Sequence, residues 1–405
     1  MNAAITAASR PRLSARMTSL WIGVAIVLVA ANLRPAVVGV APVLSEITAA
    51  EGLSSTAAGV LSALPVFCFG LFAPAAPWLA RRFGIERTVL GALVLLCMGF
   101  AVRSVGPVAL LFVGNVLAGA AIATGNVLLP ALIKRDFSHR TGVMTGLYTM
   151  AVSAGGALAA GITVPVAQAA GLNWRGALAL WGLFALVALV FWLPQTRRVH
   201  RIGSTGGVGG LWRDGLAWQV TAFMGLQSLG YYAVAAWIPA VFVGRGFSVE
   251  AAGWLLSLAS FVGIIGSMVA PMLAARYRRQ RAVALVITGV SAFGLVGVTT
   301  LPGAEIPSMA LLGLGQGAAI GLALTLVALR SPDAPHTSQL SGMAQSVGYM
   351  LAAVGPFLVG VVHDATDSWT IPLLLLVVLF VPQGVVGVLA GRDLLVGRKR
   401  APQRP

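Results

Sequence analysis

The first long apolar run of the chain reads Trp21-Ile-Gly-Val-Ala-Ile-Val-Leu-Val-Ala-Ala-Asn-Leu-Arg-Pro-Ala-Val-Val-Gly-Val-Ala-Pro42. A bilayer-spanning helix needs about 20 mostly apolar residues, and this run is long enough. It follows Arg10, Arg12 and Arg16, and basic residues before an apolar run also occur in secretory signal peptides. Because the run is longer than a signal-peptide core and lacks a small-residue cleavage pattern, we expect a retained membrane helix.

The rest of the chain has the composition of a membrane protein. Of its 405 residues, 58% are hydrophobic and 9% are charged, whereas a soluble protein carries about 25% charged residues. This composition leaves no room for a sizeable soluble domain. The predicted fold is therefore all-α, with twelve transmembrane helices at about residues 20–44, 54–79, 87–104, 107–131, 141–164, 174–193, 216–242, 250–275, 281–301, 306–329, 341–362 and 370–391.

A Gly-rich, basic connection divides these spans into six and six. It includes Gly203-Ser-Thr-Gly-Gly-Val-Gly-Gly210, and this composition is typical of a flexible linker. We therefore predict two six-helix bundles, at residues 20–194 and 216–391, joined by a linker at residues 195–215. Residues 1–19 and 392–405 are predicted to be the terminal tails.

The formal net charge of +16 is distributed in a way that indicates topology. If the spans alternate in direction, 23 of the 27 Lys and Arg residues fall on one side, and Arg103, Arg175 and Arg245 fall on the other. The positive-inside rule then places both tails and the linker in the cytoplasm. The basic clusters are short and scattered, which argues against a nucleic-acid partner.

Cys68 and Cys97 fall in predicted spans, where we expect free buried thiols.

The two halves of the sequence repeat each other at matching places. Pro77-Trp-Leu-Ala-Arg-Arg82 ends span 2, and Pro271-Met-Leu-Ala-Ala-Arg276 ends span 8. The other matches are Gly119–Ile122 with Gly317–Ile320, Gly142 with Gly342, Met150 with Met350 and Gly155 with Gly355. Two six-helix halves in parallel repeat are typical of alternating-access transporters.

The segment Pro77–Arg87 resembles the signature that the major facilitator superfamily carries between spans 2 and 3, and the chain resembles that superfamily over its whole length. The resemblance implies that this loop takes part in gating, through Arg81, Arg82, Gly84 and Arg87. Arg81 stands where the superfamily usually has Asp, which leaves open the gating salt bridge that this Asp makes in many members.

Within the superfamily, the chain is most similar to the cyanate and 2-nitroimidazole permease group. The similar stretches are Asn32–Pro35, Ala80–Arg87, Asn173–Trp181 and Gly225–Pro239, of which Asn-Leu-Arg-Pro is the most specific. The resemblance implies a multi-pass carrier of a cyanate-like or nitroimidazole-like solute, functional as a monomer in the inner membrane of a bacterium. It does not fix the solute, the direction of transport or the coupling ion.

Arg34 is the one basic residue that the predicted spans place deep in the membrane. An arginine at the centre of a membrane helix costs roughly 2.5–3.5 kcal/mol on insertion scales, and intramembrane ionisable groups usually have a function. We interpret Arg34 as the cation that binds an anionic or electron-rich solute. The alternative is a structural arginine that pairs with helix carbonyls freed by Pro35, which has no N–H to donate.

Polar side chains in other spans are candidates to orient a planar polar solute. Gln227 and Tyr231 are four residues apart in span 7 and so share a helix face, and Gln345 and Tyr349 have the same spacing in span 11. Further candidates are Asn32, Asn126, Tyr148, Tyr232 and Gln316. For each of them the alternative is a hydrogen bond between helices, worth about 0.6 kcal/mol on average.

The sequence gives little support to other chemistry. All 11 acidic residues fall in loops or at span ends, with Glu46 and Asp364 as the nearest candidates for a proton-carrying carboxylate. The histidines lack metal-ligand spacing, and the chain has no Gly-Lys-Ser/Thr phosphate loop. We therefore predict a secondary transporter without cofactor or metal, and no enzyme. The alternatives are a drug or metabolite exporter with a broader apolar cavity, and a membrane solute sensor that does not transport.

Overall fold

A computed structural model describes residues 10–53, 55–197 and 208–397, so most of the predicted linker segment Gly203–Gly210 lies outside the described residues. The first half contains α1 (Arg10–Asn32), α2 (Pro35–Val38), α3 (Leu44–Glu51), α4 (Ser55–Phe72), α5 (Ala75–Phe83), α6 (Ile85–Arg103), α7 (Val108–Asp136), α8 (Thr141–Ala169) and α9 (Trp174–Trp192). The second half contains α10 (Gly215–Gly244), α11 (Val249–Arg276), α12 (Arg281–Thr300), α13 (Glu305–Leu329), α14 (Ala334–Thr366) and α15 (Thr370–Ala390).

The described residues contain 11 helices that are long and apolar enough to cross a membrane, or 12 if one bent pair counts as a single span. The bent pair is Leu64–Phe72 with Ala75–Phe83, at an angle of 54°, and it replaces the continuous run predicted at residues 54–79. The helix breaks here because Pro74 has no N–H for the carbonyl of Gly70. That carbonyl instead accepts a hydrogen bond of 2.8 Å from Ser346 Oγ in α14.

The first span is also broken, since α1 ends at Asn32 and α2 begins at Pro35. Pro35 cannot donate to the carbonyl of Ala31, four residues earlier. Space for this carbonyl comes from Gly155 of α8, where a Cβ atom would lie 2.1 Å from the Ala31 oxygen. The corresponding span of the second half, α10, runs without a break for 30 residues. The two halves therefore differ at the position of Arg34.

In their packing, however, the halves follow the same plan. In the first half, α1 packs on α8, α4 on α7, and α6 on both α7 and α9. In the second half, α10 packs on α14, α11 on α13, and α12 on both α13 and α15. In each half the first span thus packs on the fifth, the second on the fourth, and the third on both the fourth and the sixth. The internal repeat of the sequence is therefore also a repeat of packing.

Two polar pairs show the same repeat at the ends of the helices. Glu86, at the start of α6, forms an ion pair with Arg135 near the end of α7, with a distance of 2.8 Å between Oε1 and Nη1. In the second half, Gln280 immediately precedes α12 and accepts a hydrogen bond from Arg330, the residue after α13. An ion pair between arginine and glutamate in one half thus corresponds to a hydrogen bond between arginine and a neutral glutamine in the other.

The halves meet near the face of the bundle on which α9 ends and α10 begins, which we call the linker face. A Cβ atom at Gly142 in α8 would lie 2.3 Å from Ala275 Cβ in α11, and one at Gly342 in α14 would lie 3.1 Å from Pro77 Cγ in α5. Further along α8, Thr149 donates to the Ser267 carbonyl. The matching glycines of the sequence repeat therefore form equivalent crossings between the two halves.

Candidate solute-binding site

Arg34 lies at the break between α1 and α2, deep within the protein, and part of its side chain remains accessible. Its guanidinium lies over the ring of Tyr231 in α10, with Cζ 5.6 Å from the ring centroid. Within the described part of the chain, Arg34 forms no ion pair with a carboxylate. A guanidinium in this position can bind a carboxylate-like anion with two parallel hydrogen bonds, or stack on an electron-rich ring.

Four of the five tyrosines of the chain lie close enough to Arg34 to interact with it electrostatically, namely Tyr148, Tyr231, Tyr232 and Tyr349. Their rings form an edge-to-face series, with centroid distances of 5.3 Å between Tyr231 and Tyr232 and 6.4 Å between Tyr232 and Tyr349. Phe69 of α4 continues the series at 5.4 Å from Tyr349. The first half contributes Arg34 and Tyr148, and the second half contributes the other three tyrosines, so the two halves build the site together.

Behind these rings, Asn126 and Gln345 connect α7 to α14. The Tyr148 hydroxyl donates to Asn126 Oδ1 at 3.4 Å. Gln345 Nε2 donates to the backbone oxygen of Asn126 at 2.8 Å and to Ser341 Oγ at 2.9 Å. Both amide side chains are buried. They join the halves beside the tyrosines.

The other three predicted polar residues bond to helix backbones or to neighbours in sequence. Asn32 Nδ2 donates to the Leu28 carbonyl at 2.8 Å. Gln227 Nε2 donates to the Met224 carbonyl at 3.1 Å and to Ser228 Oγ at 2.6 Å. Gln316 Nε2 lies 3.4 Å from the Gly230 carbonyl of α10. Of these three residues, Gln316 makes a contact between two helices, whereas Asn32 and Gln227 bond within their own helices.

The predicted gating loop forms the turn between α5 and α6. Arg81, Arg82 and Arg87 are exposed, and the guanidinium of Arg82 lies over Trp78 and Phe83 of its own helix. Gly84 has φ +89°, a conformation that favours glycine, and its amide closes the end of α5 on the Ala80 carbonyl.

Two residues of this region that the sequence analysis did not single out for gating make long-range contacts. Pro77 packs against Gly342 of the second half. Glu86 is only 3% exposed and pairs with Arg135. The signal available in the sequence was the repeat itself, because Pro77 and Glu86 align with Pro271 and Gln280.

Arg103 is one of the three basic residues that the sequence analysis placed on the side opposite the termini. It is the last residue of α6 and is 0% exposed. Its Nη1 donates to the carbonyl of Ala36 in α2 at 2.7 Å and lies 3.4 Å from Asn115 Oδ1. Its guanidinium lies 4.4 Å from the centroid of the Phe100 ring. Arg103 falls within the predicted span 87–104, which was the signal for burial.

The motif at the turn between spans 5 and 6 has a structural role. Asn173 caps α9 by accepting a hydrogen bond of 3.1 Å from the Gly176 amide. The Trp174 amide donates to Glu46 Oε1 at 3.1 Å, and Arg175 pairs with Glu51. This motif therefore fixes α3 to the start of α9, and it engages Glu46 away from Arg34.

A separate groove of about 480 Å³ lies between α11, α12 and α13. Apolar residues line most of it, including Val269, Leu273 and Val286, which are exposed on the outer surface of the bundle. Tyr277 and Arg279 are the polar residues in its lining. Since this groove holds neither Arg34 nor its tyrosines, it is distinct from the candidate site.

Residues 20–356 and 245–403 match the family model described as Major Facilitator Superfamily. The chain belongs to the major facilitator superfamily. It is accordingly a multi-pass membrane transporter and not an enzyme. The fold agrees, since the structure of the proton:xylose symporter XylE superposes with a TM-score of 0.75 at 15% sequence identity, covering 94% of this chain and 98% of XylE.

Proteins of Bacillus subtilis and Escherichia coli are similar to this chain over most of its length. The chain is 42% identical over 384 residues to the uncharacterized transporter YycB of Bacillus subtilis (strain 168), covering 93% of this chain and 95% of YycB. It is 41% identical over 372 residues to the 2-nitroimidazole transporter of Escherichia coli (strain K12), covering 91% and 94%. It is 31% identical over 351 residues to the cyanate transport protein CynX of the same strain, covering 85% and 90%. The chain is therefore a superfamily transporter related to 2-nitroimidazole and cyanate transporters.

Proposed function

We propose that this transporter moves a small anionic or polar planar solute across the bacterial inner membrane by alternating access, with Arg34 as the residue that binds the solute's negative charge or electron-rich ring. The observation that carries the proposal is the position of Arg34, which is accessible, lacks a carboxylate partner among the described residues and is surrounded by four tyrosines. The relationship to a 2-nitroimidazole transporter and a cyanate transport protein supports the same class of solute.

The chemistry of the site suits such solutes. Guanidinium offers a planar array of donors to an anion or a nitro group, and tyrosine hydroxyls can donate to the remaining acceptors. The tyrosine rings can pack on a flat solute edge-to-face or offset. A cation fixed in an apolar protein interior also attracts an anion more strongly than an exposed one does, because solvent screening is weaker there.

The contacts between the two halves support alternating access. Gly156, where a Cβ atom would lie 3.2 Å from Arg34 Cβ, is seven residues beyond Thr149 in α8. At 1.5 Å per residue, Arg34 therefore lies about 10 Å further from the linker face than the Thr149–Ser267 hydrogen bond. Contacts between the halves thus close the site on its linker side. Rocking of the halves would break these contacts and expose the site to the linker face.

A protein carboxylate as proton carrier is not part of this proposal. Glu46 is engaged by the start of α9, and Asp364 is exposed near the end of α14. The proposal includes cytoplasmic termini, supported by the 23 basic residues on the side of the termini and linker. It also includes a functional monomer, since both halves of the site come from one chain.

The proposal is tested with purified protein in proteoliposomes, using labelled cyanate and labelled 2-nitroimidazole. We expect saturable uptake of at least one of them by the wild type. Arg34→Ala should weaken solute affinity by about 2–5 kcal/mol while the protein stays monodisperse. Arg34→Lys should restore little, because lysine is a point charge without the planar fork of donors. Wild-type affinity in folded Arg34→Ala would refute the role of Arg34.

The same preparation separates the two alternatives. Thermal stabilisation by lipophilic cations, with none by small anions, would favour an exporter with a broad apolar cavity. Binding of a solute without flux would favour a sensor. In either case a folded Arg34→Ala variant with unchanged binding would assign Arg34 a structural role.

A further inference from the structure

Arg103 is a fully buried cation for which the proposed function has so far given no reason. Among the residues that the structure describes, it has no carboxylate partner, and its Nε and Nη2 atoms have no acceptor. Burying a charge without an opposite charge is costly in free energy. Ionisable groups inside the membrane are usually retained for function rather than for stability. The contacts that Arg103 does make should therefore matter to transport.

The main contact of Arg103 completes the short helix that follows Arg34. In α2, the carbonyl of Arg34 accepts from the amides of Val37 and Val38, and the carbonyl of Pro35 accepts from the amide of Gly39. The next carbonyl in this series is that of Ala36, and its donor is Arg103 Nη1 at 2.7 Å. Arg103 thus holds the end of a single helical turn, two residues from Arg34.

This arrangement occurs only in the half that carries the broken helix. The repeat offsets of about 194 to 200 place the equivalent of Arg103 within residues 297–303, which contain no Lys or Arg. There, Thr300 donates to the Val296 carbonyl of its own helix. The span equivalent to α1–α2 is α10, which runs without a break from Gly215 to Gly244. The buried arginine therefore accompanies the break.

We infer that Arg103 is a positioning residue for Arg34, fixing the α1–α2 break through the Ala36 carbonyl so that the Arg34 guanidinium faces the tyrosines of the second half. This inference rests on the proposed function, because it assigns to Arg103 a share of solute affinity. The guanidinium is itself held by the Phe100 ring and by Asn115, which gives α2 a rigid support on the side of α6 and α7.

The test compares Arg103→Met, which keeps side-chain length without donors, with Arg103→Lys, which keeps one donor. The matched control is Arg245→Met, because Arg245 also donates to a backbone carbonyl, that of Val298, but lies outside the Arg34 region. We expect Arg103→Met to bind the transported probe, cyanate or 2-nitroimidazole, about tenfold more weakly, comparable to losing one good hydrogen bond. Arg103→Lys should recover most of the affinity, and Arg245→Met should match the wild type.

Hydrogen exchange of the Val37, Val38 and Gly39 amides provides a readout that needs no solute. We expect faster exchange in Arg103→Met than in Arg245→Met. If the wild type binds neither probe, the proposed function fails, while exchange still reports whether Arg103 fixes α2. Faster exchange with unchanged affinity would make Arg103 merely structural and overturn the inference, as would unchanged exchange. If Arg103→Met does not fold, Phe100→Leu is compared with Arg245→Met instead, because it removes the ring that supports the Arg103 guanidinium. Unchanged affinity in Phe100→Leu would then refute the inference.

Discussion

At the scale of the residue, the site pairs one permanent cation with hydroxyl-bearing rings. Arginine stays protonated at any physiological pH, so the charge of Arg34 does not depend on a proton donor in the site. Tyr231 lies against the guanidinium and covers part of it with an aromatic face. The neighbouring ring of Tyr232 and then that of Tyr349 extend this surface towards α4. Such a lining is the reason for proposing a flat solute with negative or electron-rich edges.

The tyrosine hydroxyls provide the first prediction. Tyr231→Phe and Tyr349→Phe remove a donor and keep the ring, so each should weaken binding of an anionic solute by about 1 kcal/mol, or roughly fivefold. The matched control is Tyr277→Phe, since Tyr277 is the one tyrosine away from Arg34 and is exposed after the end of α11. Calorimetric titration of the three variants measures the effect. Equal affinities in all three would show that the hydroxyls do not contact the solute.

At the scale of the element, two prolines break two spans and both freed carbonyls are accommodated. The Gly70 carbonyl freed by Pro74 accepts from Ser346 of the other half. The Ala31 carbonyl freed by Pro35 points at Gly155 of α8. The next residue, Gly156, leaves room for the Cβ and Cγ of Arg34. The conformation of the α1–α2 break therefore depends on two consecutive glycines in a neighbouring helix.

This dependence predicts a difference between two glycines of α8. Gly155→Ala would place a Cβ atom 2.1 Å from the Ala31 oxygen, whereas a Cβ atom at Gly161 meets nothing within 4 Å. Overpacking of this kind costs about 1–3 kcal/mol, so Gly155→Ala should lower the unfolding temperature and reduce transport. Gly161→Ala should be neutral or slightly stabilising, because alanine favours helix over glycine by up to about 1 kcal/mol. Similar unfolding temperatures for the two variants would contradict the close approach.

Hydropathy and charge were enough to predict the helical class and the approximate spans, because each depends on residues along one segment. They also placed Arg34 within a span. Matching motifs in the two halves predicted the repeat. The hydrogen-bond partners of the polar side chains were less predictable, because they depend on which distant segments pack together. Gln227 and Gln345 have the same spacing to a tyrosine, yet the first bonds within α10 and the second crosses to Asn126. The burial of Arg103 depends likewise on the carbonyl of Ala36, 67 residues away in sequence.

At the scale of the whole molecule, the repeated motifs meet crosswise. Gly142 of the fifth span contacts the Pro271 segment that ends the eighth, and Gly342 of the eleventh span contacts the Pro77 segment that ends the second. Both crossings lie at the linker face. Since small residues let helix backbones approach closely, these two glycines set how tightly the halves close there.

Substitution at one crossing should separate binding from movement. Gly142→Leu would collide with Ala275 and the Pro271 carbonyl, so the halves could not close fully at the linker face. We expect transport in proteoliposomes to fall by at least about tenfold, a change of about 1.4 kcal/mol or more in the effective barrier. Solute binding to the purified protein should persist, because Arg34 packs against Gly156, which lies 14 residues further along α8 than the substituted Gly142. The control is Gly161→Leu on the same helix, and undiminished transport by folded Gly142→Leu would exclude a gating role for this crossing.

The orientation in the membrane is tested with single cysteines in a background lacking Cys68 and Cys97. An impermeant thiol reagent applied to intact cells should label Asp367→Cys, at the end of α14, and should leave Ser9→Cys unlabelled. Position 9 precedes the described residues and serves here only as a label site. Permeabilised cells provide the control that both thiols react. Labelling at position 9 and not at position 367 would invert the topology.

Arg34 belongs to one half, and three of the tyrosines near it belong to the other. The length of a transported molecule should therefore matter as much as its charge. A molecule long enough to contact both Arg34 and the tyrosines of the second half stabilises the state in which the halves close around it. A shorter anion can bind the guanidinium beside Tyr231 and leave the rings of Tyr232 and Tyr349 uncontacted, so it stabilises the closed arrangement of the halves less. Among solutes of equal charge, we therefore expect those that reach Tyr349 to be transported faster.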